Sequence, residues 1–283
     1  MEITSELVKK LIAQQFPQWR HLEIYPVEMS GHDNRTFHLG KEMSIRLPSG
    51  KAYASQIAKE NQWLPYLQER LDYPVSSPIA TGQPDEKFPY PWSVNRWIEG
   101  KTLLSITLED KTALAKELSA ALKKLQAVSS LGGPKAGSHN FYRGGDLRLY
   151  QKETMAALRN LENCLPTDIL LAIWRQCIAS VYTEEDVWVH GDIAPGNILM
   201  KDGHFYALID FGILGVGDPA CDYAMAWTYF DKNTRKYFLE GLSKGMIQRA
   251  KGWALWKALI TYDDENQDIS DNAKRTIQEI LNE

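Results

Sequence analysis

The chain has 283 residues, 44% of them apolar, with 32 Lys and Arg against 36 Asp and Glu, for a formal charge of −4. That balance supports a packed core in one large domain or two lobes and excludes disorder as the main state. No apolar run approaches the roughly 18 residues of a spanning helix, and the pI near 5.9 disfavours a nucleic-acid binder.

The first ten residues mix charges of both signs with apolar side chains, unlike a signal peptide, so the expected location is the cytoplasm. Cys164, Cys177 and Cys221 are an odd set without CxxC spacing, expected as buried, reduced thiols. Leu7, Leu11 and Ile12 recur at helical spacing behind a Thr/Ser cap and predict an opening helix over 4–16. Segments 22–28, 35–39 and 43–47 read as strands, separated by turn chemistry at 30–34 and at Gly40. A helix is expected from about Ala52 towards Leu71, bent or restarted at Pro65. The proline-rich stretch 74–91 reads as a loop flanking more strand, and 92–97 as the next strand.

After Gly100 the period changes. Leu114, Leu118, Leu122 and Leu125 mark a helix with one buried face, and further helix is expected at 153–161, 167–182 and 224–242. Between the second and third of these lie short strands at 187–190, 197–200 and 205–210, the last two joined by the hairpin turn Lys201-Asp-Gly203. The expected order is thus a smaller β-rich half, 1–97, and a larger helical half, 98–283.

The densest polar segment is 189–200, Val-His-Gly-Asp-Ile-Ala-Pro-Gly-Asn-Ile-Leu-Met, followed by Ile-Asp-Phe-Gly at 209–212. Asp192 and Asn197 share a loop that Pro195 and Gly196 keep from regular helix, and Asp210 ends the next strand. Two acids and an amide suit phosphoryl transfer, which needs a carboxylate to orient the attacking hydroxyl and hard oxygen ligands for Mg²⁺.

His-Gly-Asp-x-x-x-x-Asn followed by a hairpin and Ile-Asp-Phe-Gly resembles the catalytic and metal motifs of the protein-kinase-like superfamily, and within it the aminoglycoside phosphotransferase family. The resemblance implies an α/β (α+β), two-lobed kinase-like fold with a nucleotide-binding lobe at 1–97. It further implies that Asp192 is the catalytic base, that Asn197 and Asp210 hold metal, and that His190 braces the loop. The turn with Ser30 would cover the phosphates with backbone N–H groups. Asn95 and Trp97 would form the hinge to the base, with Leu199 and Ile209 against it. Arg46, paired with Glu60, stands where the superfamily usually places a phosphate-binding Lys, a role a guanidinium can serve.

A second departure is Gly191, where regulated protein kinases carry an arginine. Only five residues, 213–217, separate Asp-Phe-Gly from Asp218, too few for a peptide platform, so the acceptor is expected to be a small molecule. Asp218 and Asp222 are expected to cap the following helix and brace the loop. Asp263 and Asp264, in an acidic run, are candidate contacts for a cationic acceptor, the alternative being a solvated turn. Trp253 and Trp256 read as helix packing.

The expected activity is therefore Mg²⁺-dependent transfer of the γ-phosphoryl of ATP or GTP to a hydroxyl of a small, cationic molecule such as an aminoglycoside, with antibiotic resistance as the family's role. The scaffold is also similar to kinases of choline, homoserine, methylthioribose and fructosamine, and a non-catalytic nucleotide-binding scaffold is the alternative of another class. A monomer or weak dimer without nucleic-acid or membrane partners is expected. A Walker A reading of 95–102 fails because Asn95 replaces the first glycine, and a dinucleotide fingerprint at 215–220 fails because helix, not a second parallel strand, follows.

Overall fold

In a computed structural model the described residues are 2–28 and 33–283, and they divide into two compact units. One comprises 1–100 with 206–212, the other 101–205 with 213–283. Ser30 and its neighbours at 29–32 lie outside the described residues.

The first unit opens with α1 (Ser5–Gln15), whose Thr4 hydroxyl accepts the Leu7 N–H. Strands β1 (Ile24–Pro26), β2 (Asn34–Leu39) and β3 (Met43–Pro48) follow, then α2 (Lys51–Gln68), β4 (Pro78–Gly82) and β5 (Trp92–Arg96). The sheet order is β1-β2-β3-β5-β4, antiparallel throughout. Register places Phe37 opposite Ile45 and Ile45 opposite Val94, so one row of β-prone side chains enters the core with Val8, Leu11 and Ile12 of α1. One residue on, β3 presents Arg46 to the other face, by the two-residue period of a strand. Helix α2 continues through Pro65, because the ring sits on the exposed face. Within the expected loop, β4 forms by pairing with β5 across a register shift between Pro78 and Ala80.

The second unit carries β6 (Lys101–Thr102), α3 (Thr112–Ala127), α4 (Gln151–Asn160), α5 (Thr167–Ala179), β7 (Val187–Val189), β8 (Ile198–Lys201) and the start of β9 (His204–Leu208). After it come β10 (Gly215–Gly217), α6 (Met225–Thr228), α7 (Lys232–Phe238), α8 (Lys244–Ile260) and α9 (Gln267–Leu281). The leucines of α3 are buried as their spacing predicts, each contributing roughly 1.5–3 kcal/mol on burial. Trp253 and Trp256 are buried packing residues, and Trp256 donates to Glu153 at 3.0 Å. The helix expected over 224–242 is broken in two, because Asp231 accepts from the Asn233 and Thr234 N–H groups and starts α7 afresh. Gly215–Gly217 runs antiparallel to β7, not in a parallel nucleotide fold. Cys177 and Cys221 are buried but Cys164 is exposed, contrary to expectation. No helix among the described residues is long and apolar enough to cross a membrane.

Candidate active site

The β7 strand delivers the chain to His190-Gly191-Asp192. Here Asp222, fully buried on the short 3₁₀ turn Pro219–Tyr223, accepts the His190 and Gly191 N–H groups, each at 2.8 Å. Burial pushes its carboxyl above the usual carboxylate range, while His190 and the two N–H groups pull it down. Gly191 has φ +85, and a Cβ there would lie 2.7 Å from the Ile213 carbonyl oxygen, so both backbone and space exclude the arginine of protein kinases. His190 is buried and its Nδ1 accepts the Asp192 N–H at 3.2 Å. Asp192 is exposed, and its Oδ2 accepts from Asn197 Nδ2 at 3.0 Å. That amide donates to the Asp192 carbonyl as well, at 2.9 Å, which leaves its own oxygen without a donor among the described residues.

Two residues not singled out from the sequence stand beside this loop. Arg143 donates from Nε to the Gly191 carbonyl at 3.2 Å and lies over the Trp256 ring at 4.9 Å. Lys257 feels both Asp192 and Asp264; desolvation and Arg143 nevertheless hold its ammonium below the ordinary lysine value. Arg143 follows Phe141 and Tyr142, whose φ values of 50 and 54 are left-handed and strained for aromatic residues. No local pattern marks this group.

Asp218 accepts the Ala220 N–H at 3.1 Å as the cap of the 3₁₀ turn and pairs with Arg249 at 2.6 Å. Burial raises its carboxyl, partly offset by Arg249. Asp264 accepts the Asn266 N–H at 2.9 Å within a turn, and Asp263 is exposed.

In the first unit, Arg46 bridges two carboxylates, Glu60 Oε1 and Asp210 Oδ1, each at 2.7 Å. Side-chain exposure falls from 42% at Asp210 to 9% at Arg46 and 2% at Glu60. Burial alone would depress the guanidinium, but the two carboxylates hold it well above its ordinary value. Burial also raises Glu60, against the pull of Arg46. Asp210 has φ 62, a conformation that Asp tolerates better than most residues.

Asn95 is placed inside β5 with ladders on both flanks, and its buried amide donates to the Ser76 carbonyl at 2.7 Å. Trp97 lies just beyond the strand, its N–H spent on the Glu42 carbonyl at 2.8 Å. Leu199 is buried in β8, and Ile209, half-buried, precedes Asp210 in the segment that belongs with the first unit.

Each unit offers a hard oxygen of the kind Mg²⁺ takes: in the second, the Asn197 amide oxygen, and in the first, the second carboxylate oxygen of Asp210, neither of which bears a hydrogen bond among the described residues.

The chain is similar to the GDP complex of wild-type aminoglycoside 2'-phosphotransferase-IIIa, with TM-score 0.72 and 17% identity over 99% of each chain. It is similar to ADP-bound aminoglycoside phosphotransferase APH(2'')-Ib, with TM-score 0.62 and 16% identity over 98% of this chain and 97% of that one. Macrolide 2'-phosphotransferase MphH from Brachybacterium faecium aligns with TM-score 0.61 and 17% identity over 96% and 97% of the two chains. At such identity the likeness is one of fold, and it bears out the kinase-like α/β architecture. A search of curated proteins finds no match. Residues 26–259 match the Phosphotransferase enzyme family. The chain belongs to that family and is a small-molecule phosphotransferase.

Proposed function

We propose that the protein transfers the γ-phosphoryl of ATP or GTP, with Mg²⁺, to a hydroxyl of a small, amine-bearing acceptor of the aminoglycoside kind. The observation that carries this reading is the state of Asp192: an exposed carboxylate on a loop whose two preceding N–H groups are both held by buried Asp222. Asp192 Oδ2 is fixed by Asn197, leaving Oδ1 to take the hydrogen bond of an acceptor hydroxyl, orient its oxygen and receive its proton as the bond to phosphorus forms. Asn197 and Asp210 would hold Mg²⁺, which neutralises charge on the phosphates. Arg46, kept cationic by its two carboxylates, orients Asp210 and offers its remaining N–H groups to phosphate oxygens. Solved structures of similar fold bind GDP or ADP, which supports a nucleotide donor.

A second reading has a specific observation behind it. Arg143 and Lys257 put two cations near Asp192, which suits a metabolite acceptor bearing an anionic group better than a polycation. Asp264 on the same side favours the amine.

Asp192→Ala tests the assignment. Turnover should fall by about 10²–10⁴-fold, the usual share of a general base, with nucleotide affinity within about twofold by calorimetry. Wild-type turnover in the variant would overturn the role of Asp192. A panel of aminoglycosides, macrolides and anionic metabolite alcohols, run with ATP and with GTP, separates the two acceptor readings.

A further inference from the structure

Gln56 sits on α2 one turn before Glu60, outside the Arg46 ion pair, and is only 3% exposed. Residues four apart share a helix face, so Gln56 and Glu60 look the same way. The Gln56 Nε2 donates to Asp33 Oδ2 at 3.1 Å, at the first described residue after Ser30 and its neighbours. Its Oε1 is buried and accepts no hydrogen bond among the described residues. That oxygen faces Gly212: a Cβ there would meet Oε1 at 2.8 Å, Cδ at 3.1 Å and Asp210 Oδ1 at 3.6 Å. Gly212 is not in left-handed backbone, so space alone excludes a side chain. One buried amide thus addresses two segments, Asp33 and the Asp-Phe-Gly at 210–212, and leaves a carbonyl bare, which an interior does not tolerate cheaply.

We propose that Gln56 is a positioning residue that couples Asp33 to Asp210, its bare Oε1 serving as an outer acceptor for the hydrated Mg²⁺ of a bound nucleotide. The assignment rests on the reading of Asp210 as a metal ligand. Mg²⁺ retains several waters when bound through one or two protein oxygens, and those waters are donors in search of acceptors. Outer partners of this kind commonly tune metal affinity by about 10–100-fold.

The test is the affinity of the full chain for ADP and for GDP, each with Mg²⁺ and with EDTA. Gln56→Leu should weaken binding about tenfold with Mg²⁺ and less than about twofold with EDTA; equal losses in the two conditions, or none, would overturn the proposal. Asp210→Asn separates the parent reading, since it should erase the advantage that Mg²⁺ confers. If that advantage survives, the metal assignment fails; if it vanishes while Gln56→Leu behaves alike in both conditions, only the Gln56 assignment fails. Should Gln56→Leu not fold, Gly212→Ala decides. Its Cβ should push Oε1 aside and reproduce the Mg²⁺-specific loss, and Gln56→Ala/Gly212→Ala should be no worse than Gln56→Ala. Additive losses refute the contact. Failure of both nucleotides to bind the wild-type chain removes the parent reading and this one together.

Discussion

Each unit holds one carboxylate of the proposed chemistry, and the two do so by opposite means. Asp210 shares a guanidinium with Glu60, so its orientation depends on a balance of charges that deepens from half-exposed to fully buried along Asp210, Arg46 and Glu60. Among the described residues Asp192 makes no hydrogen bond to a cation; its loop is fixed through main-chain N–H groups by Asp222 and through the Gly191 carbonyl by Arg143. A charge network can be retuned by pH and by neutral isosteres, whereas a backbone clamp tolerates neither. The difference suits the two tasks proposed for them: for Asp210, a metal ligand whose charge must stay matched as the cation arrives, and for Asp192, a base whose atom must stay in place.

The clamp should give the largest effect. Asp222→Ala strips the partners from two buried N–H groups, at roughly 1–3 kcal/mol each, and frees the residue preceding Asp192, so kcat should also fall by about 10²-fold or more. Asp222→Asn should not rescue, because its amide nitrogen would face one of the two donors. Full activity in Asp222→Asn, in urea melts and steady-state assays, would break the contrast between the units.

The charge chain comes next. Arg46→Met leaves Glu60 buried without its partner and should cost about 3–5 kcal/mol. The loss should grow with pH. Burial already holds the Glu60 carboxyl above its ordinary value, and removing Arg46 deletes the main opposing pull. A carboxyl raised in the folded state stabilises below its unfolded pKa, and the contribution is lost as pH rises through the folded value. Arg46→Met should therefore be nearest to wild type at acid pH, and Glu60→Gln in the same background should recover most of the deficit. A pH-independent deficit would place the two units on the same footing.

Much of this was legible in the sequence because it is local. Asp192, Asn197 and Asp210 stand at fixed spacings around a strand and hairpin, and the Asp202-Gly203 turn with its left-handed residues is written in its composition. The α3 leucines and the Thr4 cap follow the helical period. What was hidden is tertiary. β4 exists only because Pro78–Gly82 finds β5, and β10 is three residues long. Arg143 reaches Gly191 across 48 positions of chain, and Gln56 meets Gly212 with no shared motif. The four-residue step from Gln56 to Glu60 on one helix face was the one available signal. A single number could not describe the boundary either, since 206–212 belongs with the first unit.

A smaller effect sharpens the comparison on its charged side. Partial burial lowers the Lys59 ammonium to about 8, against the pull of Glu60. From about pH 8 towards the ordinary 10.5 the folded chain sheds this proton before the unfolded chain does, so stability should rise across that window. Lys59→Met should be more stable than wild type at pH 7 by about 1 kcal/mol once solvent screening is allowed for, with the gap closing above pH 10. A gap that stays constant would mean the helix beside Glu60 is not charge-controlled.

The smallest effect lies on the backbone side. Phe141 and Tyr142 hold left-handed φ while 53% and 43% exposed, so their rings gain little from packing. The turn is kept by the Asn140 amide on the Arg143 carbonyl at 2.9 Å and by the Tyr150 hydroxyl on the Phe141 carbonyl. Tyr142→Gly removes the strain but not those bonds, and should raise stability by about 0.5–1 kcal/mol while Tyr142→Ala does not. Because Arg143 then reaches the Gly191 carbonyl from an unchanged turn, nucleotide hydrolysis without acceptor should stay within about twofold of wild type. A marked fall in that hydrolysis would show that the strain itself helps to set the Asp192 loop, and that the clamp extends beyond Asp222 and Arg143.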